Sequence, residues 1–534
     1  MVRSLFIGLD GATFTLLDEL IRDLPGEGVV MPTLGRLMRE GFRTRLRSTA
    51  LPLTPPAWVS LMTGRSPGHH GVLDFVRFED RGSDVYWTLY DSRDIRVETI
   101  WQIASRQDRS VVALNFPMMA PPSPINGSLI AGFVSWKHLR RSMTPPGLYD
   151  RIKQIPGFNA QELAWDFQRE SKIGEEMTQA ELEAWVHHHR PREEQWFNIA
   201  ETLLRDDDPD LFAVMFDGTD KLQHQTWHVL DPRIQPEHPS EEHLRLRKLV
   251  LGYYRRLDEY IERLVSMAGP QAQVFFASDH GFTGAMDVVR INRYLGELGY
   301  LTWFQSDGSD AARRREDANF AYLDWSRTTA YCPTPSSNGI CIRVAREPGQ
   351  PGIPPDQYLA FREKLMRDLR ALRAPDGEPV ITDILCREEA FEGPAMNAAP
   401  DLTLTLRDHG FVSVRNRSPV VERRNFAAGT HHPDGIFIAW GPGIATHREE
   451  GLMQIVDVTP TLLYSLGLPI PEDFEGRIPE PLFTRDRLVS HPVRVGPPTQ
   501  PIGRDPVPAA EVASDAEKEK ILDQLRALGY LEDQ

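Results

Sequence analysis

Short apolar runs that end on an aspartate, set between longer amphipathic stretches, constrain this chain most. Ser4–Leu9 (SLFIGL) runs into Asp10, Leu211–Phe216 (LFAVMF) into the segment Asp217 to Asp220, and Gln273–Ser278 (QVFFAS) into Asp279. Three further runs, Ser110–Asn115, Leu129–Val134 and Ile436–Trp440, share their β-branched and aromatic character. Near-continuous apolarity, rather than strict alternation, predicts strands covered on both faces. In Glu241–Ala268, Leu244, Leu249, Leu251, Tyr254, Leu257, Tyr260 and Leu264 recur at helical spacing. The alternation of strands and helices predicts an α/β fold with a mainly parallel sheet between helices.

The chain has 534 residues, room for one large domain with insertions. The first part of the core is expected over 1–304, with a polar, Trp- and Glu-rich helical insertion at about 140–200. Loop signals such as DGSDAARRRED and REPGQPGIPPDQ set off 305–400 as a smaller inserted α+β cap, and 401–486 returns to the core. A Pro-rich linker then leads, within 487–534, to a terminal helix with Ile521, Leu522, Leu525 and Leu528 on one stripe. That helix is expected to dock on the core or on a partner subunit of a homo-oligomer.

A net charge of −16 argues against a nucleic-acid surface, although metal cations could still draw in an anionic substrate. No apolar run is long enough for a membrane span, and the N-terminal apolar stretch is too short for a signal-peptide core. Three cysteines without a CxxC pair fit a reducing compartment, and the cytoplasm is the expected location.

Four segments carry metal-type ligands. Asp10, then Asp220 with His224, then Asp279 with His280 follow three of the predicted strands, where α/β sheets bind ligands. His431 lies in GTHHPDG, which is expected to precede a strand. Singly, each has a bland reading as a turn, a cap or a solvated helix face. Converging on one sheet edge, they would need a cation to offset repulsion and desolvation. Mixed imidazole and carboxylate donors suit Zn²⁺ or Mn²⁺ better than Ca²⁺ or Mg²⁺. The spacing of Asp220 and His224 puts both on one helix face.

LPLTPPAWVSLM reads as a helix start, with Thr54 at the N-cap and Pro55 at the first helical position. Free N–H groups and the helix dipole there would favour a phosphate, and a nearby metal would activate the Thr54 hydroxyl. The His187–His189 run is expected to be solvated. His69 and His70 are expected to bond to the backbone, and His432 to fall outside the ligand pattern. No Walker or dinucleotide-binding glycine motif is present.

These motifs resemble the alkaline phosphatase superfamily, in its branch of type I phosphodiesterases, nucleotide pyrophosphatases and related phosphohydrolases/phosphomutases. The matching elements, in family order over about 1–485, are Asp10, Thr54 before Thr63-Gly64, Asp220 with His224, Asp279-His280-Gly281, and Gly429-Thr430-His431. The resemblance implies an alkaline-phosphatase-like core. It implies two divalent transition-metal ions, Zn or Mn, about 4 Å apart. Asp220, His224 and His431 would hold one, and Asp10, Thr54, Asp279 and His280 the other. It further implies attack by Thr54 on a small phosphorylated substrate through a phospho-threonine. The threonine nucleophile and Ala57 point to a pocket without the charge for a dianionic monoester, so diesters are expected to be preferred over monoesters. The chain departs from the nucleotide pyrophosphatases at Ala57, where they place an Asn that holds a phosphate oxygen. Asn115, Lys137 and Lys221 are candidate replacements. The alternatives are a phosphomutase and a non-catalytic member that binds a phosphorylated partner.

Overall fold

The computed structural model describes residues 3–80, 85–163, 177–304, 323–334, 336–345, 347, 349–500 and 502. Its centre is a nine-stranded sheet. In chain order the strands are β1 (Ser4–Leu9), β2 (Phe42–Arg47), β3 (Val111–Leu114), β4 (Gly127–Ile130), β5 (Met143–Thr144), β6 (Leu211–Phe216) and β7 (Gln273–Ala277). Beyond β8 (Gly281–Arg290) and β9 (Val421–His432), which pair apart from this sheet, come β10 (Asp434–Trp440) and β11 (His447–Gln454). The order across the sheet is β11-β2-β10-β7-β1-β6-β3-β4-β5. The middle block β7-β1-β6-β3-β4 is parallel throughout.

Both faces of that block are buried. On β1, Leu5, Ile7 and Leu9 enter one apolar cluster and Phe6 the opposite one, which is why the run shows no alternation. One face is covered by α2 (Gln179–Asp207), α3 (Gly218–Leu230) and α4 (Glu241–Ala268), and the other includes α1 (Thr54–Thr63). The span of α4 matches the sequence reading, but Leu244, assigned there to the buried stripe, is 51% exposed. The stretch expected as a polar insertion instead buries Trp185, Val186, Trp196 and Ile199 of α2 in the core. The run of three histidines on α2 is likewise not wholly solvated, because His189 is fully buried with Trp185 edge-on at 4.4 Å.

A second, four-stranded sheet, with Gly339–Ile342 and Ile381–Cys386 either side of Leu402–Leu406, has its own apolar cluster. It takes in 402–406, just past the expected end of the cap. The terminal helix and the DGSDAARRRED loop lie outside the described residues. No helix among the described residues is long and apolar enough to cross a membrane. Cys332, Cys341 and Cys386 form no disulfide.

Candidate metal centre

Three parallel strands deliver the carboxylates. Asp10 follows β1, Asp279 follows β7 two residues on, and Asp220 lies in the first turn of α3, directly after β6. His224 is one helical turn along α3. His431 comes from β9 and faces Phe282 across the β8–β9 ladder, beside His280. Its segment, expected to precede a strand, does so, and is also the end of a strand of its own. The reason is local: Gly281 to Ala285 pairs with Ala428 to His432, which satisfies the backbone of GTHH.

All seven residues singled out from the sequence meet here, and each is at most 8% exposed. His280 Nε2 lies 3.2 Å from Asp279 Oδ2, 3.7 Å from Asp10 Oδ1 and 3.4 Å from Thr54 Oγ1. Asp220 Oδ1 is 3.4 Å from His224 Nε2 and 3.3 Å from His431 Nε2. The ligand atoms of Asp220, His280 and His431 lie within 4.8 Å of one another, as do those of Asp10, Asp279 and His280. His280 therefore stands between the two groups that the resemblance assigns to separate ions.

The imidazoles are all oriented the same way. His224 Nδ1 faces Gly429 O at 3.0 Å, His431 Nδ1 faces Pro52 O at 2.7 Å, and His280 Nδ1 faces Gly281 O at 3.1 Å. A carbonyl can only accept, so each Nδ1 is assigned the proton and each Nε2 presents a lone pair. His224 Nε2 and His431 Nε2 then point lone pairs at each other across 3.1 Å. Meanwhile no hydrogen bond reaches the buried Asp10 Oδ1, Asp220 Oδ1 or Asp279 Oδ2. Such a donor set is unfavourable without cations and fits divalent metal ions with oriented histidine ligands.

Burial, then the neighbouring Asp279 and Asp220 carboxylates, hold the Asp10 carboxyl well above the usual range. Burial likewise pushes Asp279 up to about 7. Burial opposes ionisation of Asp220 too, but positive charge on the side of His224 and His431 outweighs it and keeps its carboxyl low.

Two glycines that the sequence did not mark shape the site. Gly8 lets α1 approach the sheet, since a Cβ there would sit 2.7 Å from the Trp58 ring. Gly11, at φ +64°, turns the chain after Asp10; a Cβ there would meet Phe282 at 2.8 Å and Asp220 Oδ1 at 3.2 Å. Its N–H reaches Asp279 Oδ1 at 3.2 Å.

The reading of Thr54 as an N-cap needs correction. Leu53 is the N-cap, Thr54 is the first helical residue, and no side-chain cap bond forms. Pro55 and Pro56 also remove two of the terminal N–H groups expected to receive a phosphate. Ala57 is fully buried in an apolar cluster. Of the candidate replacement donors, Asn115 gives its amide to Met215 O and Asp217 Oδ1, at 3.0 and 3.2 Å. Lys221 Nζ lies 3.5 Å from Asp217 Oδ2, and Lys137 lies over the Trp136 ring. His70 accepts from Val72 N and pairs with Ser60, whereas His69 instead pairs with Ser66 and Glu475 side chains. His432 accepts from Asp434 N.

A family model described as type I phosphodiesterase / nucleotide pyrophosphatase matches residues 4–434. No curated protein matches by sequence. Among solved structures, an inactive form of murine ectonucleotide pyrophosphatase/phosphodiesterase 5 in complex with AMP is 14% identical. It aligns with a TM-score of 0.50 over 89% of this chain and 98% of that one. Phosphonoacetate hydrolase from Sinorhizobium meliloti 1021, in complex with phosphonoformate, is 17% identical, with a TM-score of 0.49 over 87% of this chain and 95% of that one. At such identities the first likeness speaks for the fold, a mixed α/β core with a large, mainly parallel sheet.

Proposed function

The chain belongs to the type I phosphodiesterase / nucleotide pyrophosphatase family of phosphoric ester hydrolases, and from that premise we propose that Thr54 is its nucleophile. In this reading Asp10, Thr54, Asp220, His224, Asp279, His280 and His431 hold two divalent ions. One observation carries it: the Thr54 hydroxyl stands at the rim of a buried set of converging lone pairs, 3.4 Å from His280 Nε2. Bound ions would lower the pKa of that hydroxyl and neutralise charge on the phosphoryl oxygens. Zn²⁺ suits the mixed nitrogen and oxygen donors, with Mn²⁺ next.

The chain's own groups do the rest. Placing Thr54 at the head of α1 aims its Oγ out of the helix, and Trp58 in the space above Gly8 fixes that helix on the sheet. Attack forms the Oγ–P bond and expels the ester alkoxide, leaving phospho-threonine, which water then cleaves. Asn115 and Lys221 are engaged by Asp217, and Pro55, Pro56 and Ala57 offer no N–H or side-chain donor beyond Ala57 N, which bonds Leu53 O. Few protein donors are therefore arranged for a dianionic monoester, which supports a preference for singly charged diesters. Three sparse cysteines with no CxxC pair support a cytoplasmic location.

The test compares kcat/KM for bis-(4-nitrophenyl) phosphate and 4-nitrophenyl phosphate on chelator-stripped protein resupplied with Zn²⁺ or Mn²⁺. The diester should be the better substrate with metal and inert without it. A clear monoester preference would overturn the diester reading and favour a phosphomutase.

A further inference from the structure

Helix α3 carries Asp220 and His224, so its first turn has to be held in place. Its N-cap residue, Asp217, does not cap it: the side chain makes no cap bond and turns instead to a buried ion pair. Arg192 Nη2 of α2 meets Asp217 Oδ2 at 2.9 Å, with both side chains 1% exposed. The first N–H of the helix, on Gly218, donates to Glu193 Oε1 at 2.6 Å, 25 residues away in sequence. Tyr253 of α4 donates to the same oxygen at 3.2 Å.

Gly218 itself shows that this cradle is built for a carboxyl. A Cβ at 218 would lie 2.5 Å from Glu193 Oε1 and 2.5 Å from Tyr253 Oη. Its φ is not positive, so nothing in the backbone conformation requires glycine there. Downstream, Thr219 Oγ1 donates to Asp10 O at 2.5 Å and Gln223 Nε2 to Gly11 O at 3.0 Å. The capped turn is thereby tied to the strand end that bears another ligand.

We propose that Glu193 is a positioning residue of the metal centre, a cap supplied in trans through Gly218 that keeps Asp220 and His224 in register with Asp10. It touches neither substrate nor ion, and the claim rests on the metal reading above. Burial raises its carboxyl to about 8, and Glu193 Oε1 serves the cap only as an acceptor, so glutamine, which keeps that oxygen, is the close isostere.

The experiment uses the full chain, metal-stripped, with Zn²⁺ affinity measured by competition against a chelator and hydrogen exchange followed at the amides of 218–224. Glu193→Leu and Gly218→Ala should each weaken Zn²⁺ binding by ~10–100-fold, the range for losing a group that orients metal ligands. The double variant should lose no more than either single one, because both remove the same cap. Glu193→Gln should restore near-native affinity. Should Glu193→Leu not fold, Gly218→Ala carries the test, since it keeps the acid and removes only its seat. Native affinity in Gly218→Ala, multiplicative losses in the double variant, or no rescue by Glu193→Gln would each overturn the proposal. If the native chain takes up neither Zn²⁺ nor Mn²⁺, the metal reading itself fails. Exchange then decides the cap: faster exchange in Gly218→Ala but not in Glu193→Gln supports it, and equal rates overturn it.

Discussion

A hydroxyl can start a helix or attack phosphorus, and Thr54 shows how to separate the two roles. Because Leu53, not Thr54, is the N-cap of α1, removing the hydroxyl does not cost the helix a cap. Thr54→Ala is therefore expected to lose at least about 10³-fold in kcat with a melting temperature close to native. Thr54→Ser, which keeps the oxygen, should retain much of the rate. A Thr54→Ala enzyme within tenfold of native would end the nucleophile assignment. At this scale the site was largely legible. Asp10, Asp220 and Asp279 stand at or just after strand ends, and apolar runs announce those ends. What stayed hidden were partners with no spacing of their own. The Pro52 carbonyl that orients His431 has no side-chain signature, and Glu193 sits in HHHRPREEQ, a charge run that reads as a solvated face.

Helix ends show the same limit. The helix Pro32–Glu40 has Met31 as its N-cap, with no side-chain cap bond of its own. The N–H groups of its second and third residues, Thr33 and Leu34, donate to the two oxygens of Asp258 on α4, both at 2.9 Å. Capping from a distant carboxylate thus recurs in the molecule, and no rule of local spacing finds it. Asp258→Ala is expected to lower stability by about 1–2 kcal/mol, the range for losing an N-cap, without changing metal affinity. Denaturant unfolding beside the Zn²⁺ titration checks this. A matching loss of metal affinity would mean that both capped helices act on the centre. Elements with strong periodicity, such as α4, were legible to their ends. The strand β9 was not, because its residues Val421–His432 include charged and small side chains and its identity depends on pairing with β8.

Across the whole molecule, a buried imidazole adds to the response to acid. His70, fully buried between Ser60 and Val72, is lowered to about 3 by burial. Its folded pKa lies below its unfolded value of 6.5, so between about 6.5 and 3 the unfolded chain binds the extra proton. Stability should therefore fall as pH drops through that window, by about 1.4 kcal/mol per pH unit for this one group. A His70→Gln variant should show a slope between pH 6 and 4 flatter by that amount in denaturant midpoints converted to free energy. An unchanged slope would mean that His70 is protonated in the folded state. The layered α/β core was legible at this scale because both faces of its central strands are apolar. Of the outer strands β11-β2-β10 only β10 was, since β2 and β11 beside it come from opposite ends of the chain.

That last feature has a consequence for synthesis. Strand β2 pairs on one side with β10 and on the other with β11, and His431 arrives only with β9. The residues around Asp10 and Thr54 leave the ribosome long before their partners near 430–454 exist. A nascent chain stopped short of β9 would hold Thr54 and most of the proposed ligands, yet lack His431 and the strands that close the sheet. Hydrolysis should thus switch on only once β11 has emerged from the ribosome, late in the synthesis of the chain.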